Sequence, residues 1–108
     1  MELFETLQTL AAAHGPSGQE DEIRSAILKL AAPFADECTV DTLGNLICRK
    51  KGSGSKVMLS AHMDSIGLIV SHIDEKGFVR FGSLGWLPAH AVYQQPVRFS
   101  NGIVGTIA

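Results

Sequence analysis

The stretch that decides the fold is Val57–Val70, "VMLSAHMDSIGLIV". Residues 56–61 are predicted to form a short strand, and their apolar run "VML" is typical of a strand that is buried on both faces. His62 and Asp64 interrupt the apolar residues, two positions apart. Residues at i and i+2 of a strand point to the same face. If residues 57–61 form an inner strand, both side chains project from its carboxyl end, where open α/β sheets form ligand crevices.

The chemistry of this pair favours a metal site. A neutral imidazole nitrogen is a good ligand for zinc, cobalt or manganese-like cations. A metal-bound histidine commonly donates its other N–H to a carboxylate, which fixes the tautomer of the ring. The pair therefore suggests His62 as a metal ligand and Asp64 as the acid that orients it. An H-x-D pattern also arises by chance, so the spacing alone is a weak signal.

Upstream of this stretch the sequence predicts two helices. Apolar residues recur at helical spacing in residues 2–14, and Gly15–Pro16 ends that pattern. Ser17 with Glu20 three positions later is the signature of a capping box at the start of a second helix. Pro33 ends the second helix.

The remaining sequence predicts β-hairpins. The segment "CTVDTLGNLICRK" is a hairpin that turns near Gly44–Asn45, and "IGLIVSHID" pairs with "FVRFG" through "EKG". Asn101–Gly102 is a strong turn signal between "QPVRFS" and "IVGTIA". Helices followed by strands indicate a mixed α/β protein.

Composition narrows the classes of function. The 108 residues carry a net charge of −2 and are 45% hydrophobic, which gives no reason to expect nucleic acid or an anionic membrane as a partner. No apolar run is long enough to span a bilayer. Glu2 and Glu5 lie where a signal peptide carries positive charge, so a cytoplasmic protein is expected.

The two cysteines have no metal-binding spacing. Cys38 and Cys48 could face each other across the hairpin centred near Leu43. In a cytosolic chain, free and partly buried thiols are favoured over a disulfide.

The motifs in combination resemble one family. The pattern "AHMD" is followed by "SIGLIV" and "EKGFVRF", and it is preceded by "VDTLGNLI" and "GPSGQE". Together they resemble the M42 family of metallo-aminopeptidases, and the resemblance runs from Leu3 to Ile107.

The resemblance implies a fold and a function. It implies an α/β fold in which residues 1–67 form the N-terminal part of a zinc-peptidase-like catalytic domain. Residues 68–108 would be the first strands of an inserted, β-barrel-like dimerisation domain. His62 would be a ligand of one metal in a two-metal site, and Asp64 would be the catalytic carboxylate that orients it. Two divalent ions, zinc or cobalt, would serve an aminopeptidase that removes N-terminal residues from short peptides.

The family's other metal ligands lie beyond Ala108, so the isolated chain is expected to be inactive. Asp74 and Glu75 fall at a strand-to-turn junction, where they are expected to face water rather than to replace those ligands. The alternative function is an inactive truncated fragment, or an interaction module that associates through its β-rich half. Exposed strand edges favour pairing with another chain, so a homo-oligomer is expected.

Overall fold

The computed structural model describes residues 2–108, which divide into two compact units, the first ending at Asp64 and the second beginning at Ser65. The first unit contains α1 (Leu3–Ala12), α2 (Asp21–Ala31), a 3-10 turn (Ala32–Phe34), β1 (Glu37–Val40) and β2 (Leu46–Arg49). The second contains β3 (Gly67–Ile73), β4 (Val79–Leu84), α3 (Ala89–Val92), β5 (Pro96–Arg98) and β6 (Val104–Thr106). The chain is therefore mixed α/β, as the sequence predicts.

Helices α1 and α2 pack against each other in the first unit. The buried side chain of this unit is Ile23 on α2, which is 6% exposed. Gly15 lies against it so closely that an added Cβ would stand 2.9 Å from the Ile23 Cβ and nearer still to Cγ2. The glycine after α1 thus does more than end the helix, because its missing side chain lets the chain pass over Ile23.

The predicted capping box is wrong. Helix α2 begins at Asp21, and no side chain caps its first turn. Glu20 instead accepts a hydrogen bond from the Gly18 N–H at 2.7 Å. Ser17 lies too far from the helix start because residues 16–19 form a turn, closed by the Gln19 N–H on the Pro16 carbonyl at 2.9 Å.

Strands β1 and β2 form the first predicted hairpin, with Cys38 directly opposite Cys48. Gly44 adopts a φ of 87° at the turn, a conformation that glycine tolerates without steric cost. The Asp41 carboxylate accepts the backbone N–H groups of Leu43 and Asn45, both at 2.9 Å, and the Asn45 side-chain amide at 2.8 Å. The polar turn residues therefore set the register of this hairpin.

The strand predicted at residues 56–61 is wrong. This segment has no regular structure, and Val57, Met58 and Leu59 are 83%, 87% and 93% exposed. A strand exists only through hydrogen bonds to a partner, and no described segment pairs with this one. The apolar composition predicted burial, but burial also requires a neighbouring chain segment.

The second unit consists of the two other predicted hairpins with α3 between them in sequence, a short helix that the sequence did not predict. Strand β3 pairs with β4 across a register shift between Val70 and His72, and β5 pairs with β6. Asp74 at the first turn accepts the backbone N–H groups of Lys76 and Phe78 at 2.9 and 2.8 Å. Its carboxylate stabilises the turn, while Glu75 is exposed.

Many large apolar side chains of the described residues are exposed. Only Ile23 and Ile107 are buried hydrophobic residues among residues 2–108. The accessible surface is 8981 Å² for 11.5 kDa, whereas two separate compact units of half that mass would expose about 7,000 Å² in total. Within the described residues there are three two-stranded antiparallel sheets and no parallel sheet. The predicted inner strand of an open α/β sheet is thus not formed.

The predicted division into a catalytic part, residues 1–67, and an inserted part, residues 68–108, stays a prediction.

Among residues 2–108 no helix has both the length and the apolar composition needed to cross a membrane.

Candidate functional site

His62 and Asp64 interact directly in the irregular segment that ends the first unit. The His62 Nδ1 lies 3.1 Å from Asp64 Oδ1 and 3.0 Å from the Asp64 carbonyl oxygen. The predicted strand is absent, so this contact comes from the local fold of residues 62–64 and not from the alternation of a strand. The roles of the two residues in metal binding and catalysis stay predictions.

The contact determines the tautomer of the imidazole. Both atoms that face Nδ1 are oxygens that only accept a hydrogen bond when the carboxylate is ionised. Nδ1 must therefore carry the proton, and in the neutral ring the lone pair is on Nε2. The His62 side chain is 86% exposed, so solutes can reach this nitrogen. This is the arrangement in which a histidine can bind a cation while a carboxylate orients its ring.

Ser17 is the third member of the site. Its hydroxyl donates to Asp64 Oδ2 at 2.5 Å, across 47 positions of sequence. Gly18, at φ 86°, follows it in the turn of residues 16–19, and positive φ at this position is typical of a type II turn. The turn directs the Ser17 hydroxyl to the carboxylate instead of to the start of α2.

The sequence did not predict this contact. The Pro-Ser-Gly order indicates a turn, and that signal would have argued against the capping box. Nothing in the local sequence identifies a partner 47 residues away.

The electrostatics of the site favour an ionised carboxylate. The hydrogen bond from Ser17, followed by the one from His62, holds the pKa of Asp64 below its ordinary value, and partial desolvation opposes these effects. Because the Asp64 side chain is 40% exposed, solvent also stabilises the charge. The carboxylate is therefore ionised at neutral pH and accepts a hydrogen bond from the imidazole N–H.

The described residues do not contain a complete metal centre. Within residues 2–108 no group of three or more histidine, cysteine, aspartate or glutamate side chains is arranged to hold a metal ion. A catalytic zinc takes three protein ligands. His62 as one ligand of such a set, oriented by Asp64, stays a prediction.

Comparison with known proteins identifies the family. Residues 44–108, which include His62 and Asp64, match the family model described as M42 glutamyl aminopeptidase. This chain belongs to the M42 aminopeptidase family. The resemblance inferred from the motifs is thereby confirmed.

Relatives of this M42 chain extend beyond it. A protein of Acetivibrio thermocellus is 46% identical over 106 residues, covering 98% of this chain and 32% of the relative. The lysyl aminopeptidase of Pyrococcus furiosus is 37% identical over 111 residues, covering 96% of this chain and 32% of that enzyme. The chain thus spans about a third of the length of these relatives.

Solved structures agree with this assignment. The TET1 peptidase of Pyrococcus horikoshii, which can assemble into a tetrahedron or a large octahedral shell, matches with a TM-score of 0.80 and 31% identity. The match covers 95% of this chain and 31% of that peptidase. The mixed α/β structure therefore corresponds to part of an M42 enzyme.

Proposed function

We propose that this chain is the N-terminal part of a binuclear metallo-aminopeptidase that removes N-terminal residues from short peptides. In this proposal residues 1–67 belong to the catalytic domain of zinc-peptidase type. Residues 68–108 begin an inserted, β-barrel-like dimerisation domain. The observation that carries the proposal is the hydrogen-bonded series Ser17–Asp64–His62 in a chain of the M42 family.

Each residue of the series has a distinct role. Ser17 holds one oxygen of the Asp64 carboxylate, and the other oxygen accepts the Nδ1–H of His62. This keeps the proton off Nε2, which is the nitrogen that would bind one divalent ion. When bound, a pair of zinc or cobalt ions polarises the scissile carbonyl and activates water.

The exposed apolar segment indicates how the rest of such an enzyme would contribute. Val57, Met58 and Leu59 are exposed here, and they have the composition of a strand buried on both faces. We propose that residues 57–61 pair with strands of a complete M42 enzyme. Further metal ligands would then be brought close to His62.

Assembly is part of the same proposal. The Pyrococcus horikoshii relative assembles into closed shells, and the chain's exposed apolar side chains need partners. We propose a homo-oligomer.

A second candidate function is association without catalysis. Two observations favour it, the lack of a three-ligand cluster within residues 2–108 and the exposure of residues 57–59. In this case the chain acts as an interaction module that pairs through exposed strand edges and apolar surface.

One experiment tests whether the purified 108-residue chain is active by itself. Aminoacyl-p-nitroanilides are supplied with Zn²⁺ or Co²⁺, beside a chelator control and a His62→Ala variant. The expected result is no hydrolysis, because the described residues provide too few ligands. Metal-dependent hydrolysis that disappears in the variant would contradict the claim that the chain lacks metal ligands. The same result would support the aminopeptidase function.

Metal binding is measured separately from activity. Paramagnetic Co²⁺ is added to isotopically labelled chain, and broadening of the histidine ring signals is recorded by NMR. His62 is expected to broaden at lower metal concentration than His72 or His90, and a His72→Ala variant should leave that response intact. Equal broadening of all three rings would refute the role of His62 as a ligand.

A further inference from the structure

The two cysteines form a cluster outside the site. Cys38 of β1 and Cys48 of β2 are register partners, and their Sγ atoms lie 3.1 Å apart. Both thiols are free, as the sequence predicts, but only one of them is partly buried. Cys38 is half-buried and Cys48 is exposed.

The hairpin places the pair at a position suited to a covalent link. The Asp41 N–H donates to the Asn45 carbonyl at 3.1 Å, so these two residues are a hydrogen-bonded pair. Hydrogen-bonded and non-hydrogen-bonded pairs alternate along an antiparallel ladder. Cys38–Cys48 is the third pair after Asp41–Asn45, so it is a non-hydrogen-bonded pair. The Cα atoms of such a pair are about 4.5 Å apart and its side chains approach closely. A disulfide spans Cα separations of roughly 4.4–6.8 Å.

Both ends of the hairpin hold this register. At the turn, Asp41 accepts three hydrogen bonds from Leu43 and Asn45. At the open end, the Asp36 N–H donates to the Arg49 carbonyl at 2.8 Å, and the Asp36 carboxylate accepts the Lys51 N–H at 2.6 Å. The thiols are therefore kept opposite each other.

We propose that Cys38 and Cys48 are a reversible redox site, which closes to an intramolecular disulfide by exchange with a low-molecular-weight disulfide. A thiolate of one cysteine attacks the small disulfide, forms a mixed disulfide and releases one small thiolate. The second cysteine then attacks the protein sulfur of the mixed disulfide and releases the other small thiolate. The two protons lost by the cysteines are taken up by these leaving groups, so two thiols are oxidised and one small disulfide is reduced.

Exposure sets the order of attack. Cys48 is the more accessible thiol and meets the small disulfide first. The hydrogen bond with Cys48, with some desolvation, raises the pKa of the Cys38 thiol. Because a thiolate is the nucleophile, Cys38 suits the second step, in which its target is already beside it. The site includes neither His62 nor Asp64, so it does not depend on the proposed function.

The test treats the reduced 108-residue chain with oxidised glutathione and records intact mass. The wild type is expected to lose two hydrogen atoms, to retain no glutathione and to recover its mass with a reductant. Cys38→Ser should retain one glutathione on Cys48. Cys48→Ser should react more slowly at Cys38 than Cys38→Ser reacts at Cys48.

A variant of the turn tests the role of the hairpin. Asp41→Ala removes the side-chain acceptor of the turn and is expected to slow closure of the mixed disulfide several-fold, while the first attack at Cys48 keeps its rate. Unchanged closure in that variant would overturn the geometric argument. A wild type that keeps glutathione on both cysteines, or that links two chains, would overturn the proposal itself.

Discussion

Gly15→Ala tests whether the missing side chain at this position is what allows the two helices to pack. An alanine Cβ would stand 2.9 Å from the Ile23 Cβ and closer to Cγ2, while Gly15 has no positive φ. The cost is therefore steric and not conformational. Forcing one extra methyl group against a buried side chain costs about 1–3 kcal/mol of the free energy of unfolding. Since Gly15 precedes Pro16 and Ser17, the displacement should also loosen the hydrogen bond from Ser17 to Asp64.

The assay is urea unfolding followed by the far-ultraviolet circular dichroism of the helices. A matched control is Gly52→Ala, because a Cβ at Gly52 meets nothing within 4 Å. The control should change the free energy of unfolding by less than about 1 kcal/mol. If the Gly15→Ala variant has the same free energy of unfolding as this control, the packing argument is refuted.

A double-mutant cycle locates the clash. Ile23→Ala removes both Cγ atoms, so combining it with Gly15→Ala should cost about 1–2 kcal/mol less than the sum of the single changes. Ile23→Val keeps both Cγ atoms and should show no such relief. Equal coupling in the two cycles would mean that the strain lies elsewhere.

Three further predictions concern the site, the hairpin and the exposed segment. Ser17→Ala should raise the pKa of Asp64 toward its ordinary value, because the largest cause of its lowering is removed; a carboxyl NMR titration measures this, with Ser53→Ala as the control. The Asn45 side-chain amide and backbone N–H groups lower the pKa of Asp41 in the folded state, so its contribution to stability should be complete above about pH 5 and lost as the pH falls below about 4. Asp41→Asn should flatten that part of the curve of unfolding free energy against pH, and an unchanged slope would contradict the assignment. Leu59→Ser should change the unfolding free energy of the chain by less than about 0.5 kcal/mol, because Leu59 is 93% exposed, whereas a large loss would show that the residue is packed.

The elements that the sequence predicts well are those whose hydrogen bonds are local. The helical spacing of apolar residues and Gly15–Pro16 locate α1, and Gly44, Gly77 and Gly102 all adopt positive φ at the three predicted hairpin turns. Here the residues that form a bond are a few positions apart, so turn chemistry and periodicity are sufficient. The capping box failed because residues 16–19 form a turn, so α2 begins only at Asp21.

By itself the sequence determined the two helices and the three hairpins, since each depends on neighbours along the chain. It placed His62 near Asp64 through a strand that is not formed, and their contact comes from the local fold of residues 62–64. It also carried the motifs that identify the M42 family. Only the tertiary structure decided that Ser17 holds Asp64, because a contact across 47 positions depends on how separate segments pack. It also decided that residues 57–61 stay unpaired, since composition can favour a strand but only a partner's N–H and C=O groups complete one.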